Sequence, residues 1–213
     1  MRKMAGGFDR IAPYYDSLAR LVFGDSIRRC QLEYLNKIPL GAKVLILGGG
    51  TGWLLAKMMK ANPTCRVWYL ESSLKMIEIA KAGLKDLSNA DVFFIHGTEK
   101  NLQQRNDIYF DAVITNFYFD LFTSSSLKDA LEHIKKCVYP GSKLLVSDFV
   151  DREWWQQFLL FLMYRFFRWT CAIEARTLPD WQRQLEEAGF AECSTTWYYR
   201  AFIKSSLHVF EKK

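Results

Sequence analysis

With 213 residues, half of them apolar, the chain has material for one sizeable core and is expected to form a single domain. Lysine and arginine exceed the acids by 29 to 23, a formal charge of +6. The basic residues are scattered, which suits an anionic small molecule, a membrane surface or a merely solvated face and speaks against nucleic acid. Five widely spaced cysteines, Cys30, Cys65, Cys137, Cys171 and Cys193, include no C-x-x-C pair, the pattern of reduced thiols in a cytoplasmic protein rather than of a disulfide framework or a metal site.

In chain order, the N-terminal Met1-Arg2-Lys3-Met4-Ala5-Gly6-Gly7 is basic and lacks the apolar centre of a signal peptide, so export is not expected. Residues 8 to 37 read as largely helical, with Ile27, Cys30, Tyr34 and Leu35 on one face and Asp25 or Ser26 as a second start. From 43 onward, strands are predicted near 43–47, 66–70, 92–96, 110–116 and 142–148. Helices are predicted near 52–61, 73–84 and 124–138, with Ser73 and Ser126 as N-caps. Such alternation implies an α/β, Rossmann-like, doubly wound and mostly parallel sheet with right-handed crossovers.

After the fifth strand comes an aromatic stretch, Arg152 to Arg176, containing Trp154, Trp155, Phe158, Phe161, Phe166, Phe167 and Trp169. A helix this apolar is buried or lies at an interface, so it reads as a lid over the site, a surface docked on lipid, or a core helix. The longest runs without charge, Val44 to Ala56 and Trp154 to Tyr164, are too short for a bilayer, which takes about 20 residues. Thr177-Leu178-Pro179-Asp180 restarts a helix that ends at Gly189, and Ala191 to Phe210 alternates enough for an antiparallel pair of strands at the sheet edge. The domain, 1–213, thus divides into an N-terminal helical cap (1–40), a cofactor-binding core (41–150), the aromatic insert (151–177) and a C-terminal helix with two strands (178–213).

Chemistry concentrates in Val44-Leu45-Ile46-Leu47-Gly48-Gly49-Gly50-Thr51-Gly52, a buried strand running into a glycine turn and then a helix. Gly48, Gly50 and Gly52 let a ligand approach the main chain at a helix N-terminus. The next strand ends in Glu71, placed to accept both hydroxyls of a ribose. The third glycine falls one residue early for a dinucleotide fingerprint, with Trp53 in its place, and no Gly-Lys-Ser/Thr follows for a P-loop. A nucleoside cofactor is therefore expected beyond the carboxyl ends of the strands, at the loops 48–52, 71–73, 97–99, 116–120 and 148–151.

The G-x-G-x-G turn with Glu71 resembles the first two motifs of the class I S-adenosylmethionine-dependent methyltransferases. Phe8-Asp9-Arg10-Ile11-Ala12-Pro13-Tyr14-Tyr15-Asp16 is similar to the opening F-D-x-x-A-x-x-Y-D of the ubiquinone/menaquinone biosynthesis methyltransferase group. Glu71-Ser72-Ser73-Leu74-Lys75-Met76, Val138-Tyr139-Pro140-Gly141-Ser142-Lys143-Leu144 and Glu187-Ala188-Gly189-Phe190 resemble three further blocks of it. The resemblance implies S-adenosylmethionine as cofactor, held by Tyr15, Gly48, Gly50, Gly52, Glu71, Ser72, Met76, Gly97, Thr98, Glu99 and Asn116. Two departures stand out: Ile46 replaces an early acid of the first motif, and Thr98 the acid expected to meet the adenine amino group, a place that Glu99 can take.

Methyl transfer is an in-line displacement in which alignment matters most and a dedicated base is optional. Candidates for one are His96, Tyr118, Asp120 and Asp148. The aromatic Asn116-Phe117-Tyr118-Phe119-Asp120 suggests a small lipophilic acceptor, quinone-like or phenolic by the resemblance, against Tyr118, Phe158, Phe161 and Tyr164; Phe117 and Phe119 read equally well as core. A phospholipid headgroup or small amine as acceptor, or a non-catalytic cofactor-binding relative, are the alternatives, and a membrane surface is the further partner considered.

Overall fold

The computed structural model describes residues 2–211 apart from 88–89, 105–107, 172 and 174, with side chains described from residue 7 onward, 103 and 104 excepted. Parts of the expected basic N-terminus, aromatic insert and C-terminal segment (residues 1, 172, 174, 212 and 213) therefore lie outside the described residues. Seven strands, β1 (Lys43–Leu47), β2 (Arg66–Glu71), β3 (Asp91–His96), β4 (Phe110–Asn116), β5 (Val138–Phe149), β6 (Phe190–Tyr198) and β7 (Ile203–Phe210), form one sheet in the order β3-β2-β1-β4-β5-β7-β6. The first five pair in parallel, while β7 runs antiparallel to both β5 and β6, matching the mixed sheet expected from the sequence. Strand order reverses at β1 and β4, so the loops after these two strands diverge to opposite faces and leave a crevice between them.

Apolar runs explain the layers. Val44 to Leu47 and Val67 to Leu70 are apolar on both faces because helices cover both. On one face α3 (Trp53–Ala61) and α4 (Leu74–Gly83) follow β1 and β2; on the other α5 (Ser124–Lys135) and α7 (Trp181–Glu187) bury Leu127, Leu131, Trp181 and Leu185. Ser73 caps α4 as expected, its hydroxyl accepting from the Met76 amide at 3.1 Å. The cap of α5 is Thr123 rather than Ser126: Thr123 is extended and its Oγ1 accepts from the Ser126 amide, while the Ser126 hydroxyl accepts from the Thr123 amide, a reciprocal box that starts the helix earlier. β5 also begins earlier than position 142. Val138 pairs with Phe110 before a register shift, and the Ser142 hydroxyl bridges Tyr139 N and Phe110 O, which accommodates Pro140 in an irregular stretch.

The N-terminal helices α1 (Arg2–Phe23) and α2 (Ser26–Leu32) and the insert helix α6 (Trp154–Cys171) build a third apolar layer with Phe149, Phe202 and Ile203, while the 3-10 turn Leu35–Lys37 sits against the α3 side of the sheet through Leu35. Gly7 touches α6 so closely that a Cβ there would lie 2.2 Å from the Cys171 Cα. Gly6 and Gly7 thus lie inside a continuous helix, which needs a small residue at position 7 where it crosses α6.

His208, buried in β7, donates or accepts one bond with the Ser206 hydroxyl at 2.8 Å, and its Nδ1 has no partner among the described residues. Desolvation pushes its pKa down from 6.5 to about 4. A depressed histidine binds fewer protons folded than unfolded, so its contribution is intact above pH 6.5 and lost as pH falls toward 4. At about 1.4 kcal/mol per unit this amounts to about 3 kcal/mol. His208→Gln is expected to flatten that part of the stability–pH curve, as urea unfolding at pH 4.5 and 7 will report.

Candidate cofactor and methyl-transfer site

Chain geometry opens a cavity of about 250 Å³ above the β1/β4 crest. Its floor is the glycine turn. Gly50, at φ +66°, has nothing within 4 Å of the place its Cβ would take, and the Tyr69 hydroxyl donates to Gly50 O at 2.7 Å, fixing the turn from below. Glu71, 6 % exposed, stands at the end of β2. Its Oε2 accepts from Gly50 N at 2.9 Å and its Oε1 from Ser73 N at 2.8 Å, so two backbone amides aim the carboxylate along the cavity wall while it keeps acceptor capacity.

The opposite end is closed by Thr98, Glu99 and Tyr118. The Tyr118 hydroxyl donates to Glu99 Oε2 at 2.8 Å, and burial followed by the Glu99 charge raises its pKa well above the ordinary phenol value. Thr98 Oγ1 is buried on this wall with no partner among the described residues. Phe117, half-buried at the end of β4, holds φ +50°, a conformation that costs a non-glycine residue about 1 kcal/mol or more. It places its ring on the wall and leaves Phe119, fully buried, in the core.

The roof is α1 with α2. Phe8, Tyr15, Ala19, Ile27 and Arg28 line the cavity, and two acids of the opening motif latch α1 in place. Asp9 Oδ1 accepts from the Ser73 hydroxyl at 2.5 Å and from Lys75 N at 3.2 Å, so it shares the cap of α4; Asp16 accepts from the Thr51 hydroxyl at 2.9 Å on the glycine turn. Asp9→Ala removes two of these bonds and is expected to cost about 1–2 kcal/mol, with faster hydrogen exchange in α1 and the first turn of α4.

Of the residues expected to hold a cofactor, Tyr15, Gly48, Gly50, Glu71, Ser72, Met76, Gly97, Thr98, Glu99 and Asn116 are on this wall. Gly52 is not: its Cβ would sit 2.4 Å from that of Ala80, so it serves the packing of α3 on α4. Tyr118 is the one candidate base on the wall. His96 is exposed and bonded to Ser72 O at 3.0 Å. Asp148 is fully buried and accepts from the amides of Tyr118, Phe119 and Phe149, which makes it a brace for the loop after β4. Asp120 is buried beside it, and desolvation followed by the Asp148 charge holds its carboxyl well above the usual range. Neither acid reaches the cavity.

The three insert residues assigned to acceptor binding are also off the wall. Phe158 and Phe161 are exposed, and Tyr164 is buried with its hydroxyl donating to Asp120 O at 3.1 Å. The insert supports the site from behind, through Tyr164 on the loop after β4 and through α1, where Phe167 stacks on Phe8 at 6.3 Å and approaches Tyr15. Sequence reasoning missed the latching roles of Asp9 and Asp16 and the wall positions of Arg20, Arg28 and Gln31; the two acids were legible as part of the opening motif.

Residues 45–144 match the family described as a methyltransferase domain. This match, the motifs and the fold together support a class I S-adenosylmethionine-dependent methyltransferase. Among its relatives is the ubiquinone/menaquinone biosynthesis C-methyltransferase UbiE of Pseudomonas savastanoi pv. phaseolicola, 30% identical over 152 residues that cover 69% of this chain and 58% of that one. The chain spans about 60% of the length of the curated relatives it matches. The fold recurs in an O-methyltransferase family protein from Burkholderia thailandensis, with a TM-score of 0.69 at 15% identity, covering 96% of this chain and 58% of that one. It recurs also in CalO1, a methyltransferase in calicheamicin biosynthesis solved with S-adenosylhomocysteine, with a TM-score of 0.65 at 14% identity over 93% and 56% of the two chains.

Proposed function

We propose that the chain binds S-adenosylmethionine in this cavity and transfers its methyl group to a small lipophilic acceptor carrying a quinone-like or phenolic ring. The observation that carries the reading is Glu71, a buried carboxylate aimed by two backbone amides beside an open glycine turn. That is a site for ribose hydroxyls. Buried Thr98 Oγ1 and the Glu99 carboxylate offer acceptors for an adenine amino group, and Tyr15, on the cavity side of α1, offers a donor for a carboxylate. When bound, the cofactor supplies an electrophilic methyl on a sulfonium.

The chain's own residues hold, align and desolvate. Phe8, Ile27, Phe117, Leu121 and Phe122 give the remaining wall an apolar character that suits an aromatic acceptor, and α1 closes it from water. The Tyr118 hydroxyl donates to Glu99 and burial holds it as a phenol, so it serves as wall and donor rather than as base. Alignment then supplies the main share of the rate, as an in-line displacement permits. The same reading puts the protein in the cytoplasm, where its thiols, four of them buried, stay reduced, and draws the acceptor from a membrane.

Incubation with S-adenosylmethionine and a panel of lipophilic hydroquinones and phenols is expected to give an acceptor heavier by one methylene, seen by mass spectrometry, together with stoichiometric S-adenosylhomocysteine. Transfer to phosphatidylethanolamine or small amines instead would replace the acceptor class. Cofactor binding without transfer to any of these would leave a binding protein.

A further inference from the structure

No described helix is long and apolar enough to cross a membrane. One helix is nevertheless apolar on its outward face as well as its inward one. On α6 the core face holds Gln156, Leu160, Tyr164 and Cys171, and the Gln156 amide is buried, donating to Ala201 O at 3.2 Å. Trp155 and Phe167 pack inward, but four other large rings face solvent: Trp154 is 78 % exposed, Phe158 and Phe161 58 %, and Trp169 86 %. Leu162 completes the outward stripe, at the helical spacing 154, 158, 161, 162, 165, 169. α1 runs antiparallel beside it, since Gly7 meets Cys171 while Phe23 and Trp155 both touch Phe202, and it adds exposed Tyr14, Leu18 and Leu21.

A contiguous apolar helix face of this size marks a contact surface. Its charge selects the partner. Arg165 lies within the outward stripe of α6 and Arg168 on its flank; both are exposed, and from Trp154 to Cys171 the helix has no acid. In a symmetric dimer the same face meets itself, so these arginines would confront their copies with no carboxylate on α6 to pair with. Anionic phosphates meet them instead, with tryptophans near both ends of an 18-residue helix at headgroup depth.

We propose that the outward faces of α6 and α1 form a docking surface for an anionic phospholipid bilayer, on which α6 lies in the interfacial plane. Because α1 also roofs the cavity with Phe8, Tyr15 and Ala19, docking places the roof against the lipid. The surface stands apart from the choice of methyl acceptor, and its test uses no turnover.

The full chain is sedimented with vesicles of phosphatidylcholine alone and of phosphatidylcholine mixed with phosphatidylglycerol. Binding is expected to be markedly stronger on the anionic vesicles. Each arginine at such a surface strengthens binding about fivefold, so Arg165→Gln with Arg168→Gln should weaken it about 25-fold and remove the preference. Phe158→Ser with Trp169→Ser should weaken it at least about tenfold on both vesicles, with an unchanged melting temperature because both rings are exposed. No vesicle binding by the wild-type chain, or equal binding to both vesicles, would overturn the proposal. So would a dimer in sedimentation velocity that the serine substitutions dissolve, which would make the face a self-association surface.

Discussion

Glu71→Gln is expected to abolish measurable binding of S-adenosylhomocysteine while leaving the fold in place. The amide keeps the size of the side chain and one carbonyl acceptor, so the Gly50 turn and the start of α4 retain part of their support from position 71. What is lost is the charge and one acceptor oxygen facing a pair of ribose hydroxyls. Charge-assisted bonds contribute about 1.5–3 kcal/mol each, so losing two of that quality weakens binding about 100-fold or more. Calorimetric titration of both proteins, paired with a urea melt, separates this from unfolding. Unchanged affinity in a stable Glu71→Gln protein would take Glu71 out of the site.

Substitutions two residues apart in the glycine turn are expected to fail differently. At Gly50 a side chain enters open space in the cavity, so Gly50→Val pays backbone strain of about 1–2 kcal/mol and blocks the ligand in a protein that still folds. At Gly52, with φ +79°, the new Cβ lies 2.4 Å from the Ala80 Cβ and 2.7 Å from its Cα. Backbone strain then adds to overpacking between α3 and α4, and Gly52→Val is expected to lose about 3 kcal/mol or more of stability. Urea midpoints rank the two. Equal stability losses would mean that the turn has a single role.

The parallel core was legible because its signals are local. A buried strand, a glycine turn, a helix and a second strand ending in Glu71 occupy 29 consecutive residues, 43 to 71, and their order alone implies the crevice. The C-terminal hairpin was legible from alternation and from Gly189. The orientation of α6 was not, since aromatic residues surround most of the helix and the pattern leaves its buried side undefined. The choice fell to shape: Gln156 reaches Ala201 O, Tyr164 reaches Asp120 O, Cys171 gives way to Gly7 and Trp155 packs on Phe202, while Trp154, Phe158, Phe161 and Trp169 were left outside. Asp148 and Asp120 looked catalytic at the ends of their segments, yet whether an acid there faces a cavity or braces a loop depends on the backbone around it. Asp148 meets three amides, an arrangement no spacing in the sequence predicts. Gly49 shows the same limit. Its need to stay small comes from the Tyr69 ring, which would lie 2.2 Å from a Cβ.

Hydrogen exchange of the full chain with and without S-adenosylhomocysteine tests the central claim most directly, because it locates the ligand rather than only detecting it. Protection is expected in the glycine turn and the start of α3 (48–54), around Glu71 to Met76, at Gly97 to Lys100, and in α1 over residues 8–20, whose Phe8, Tyr15 and Ala19 roof the cavity. Protection confined to other segments, or no change at saturating ligand, would contradict the site proposed here.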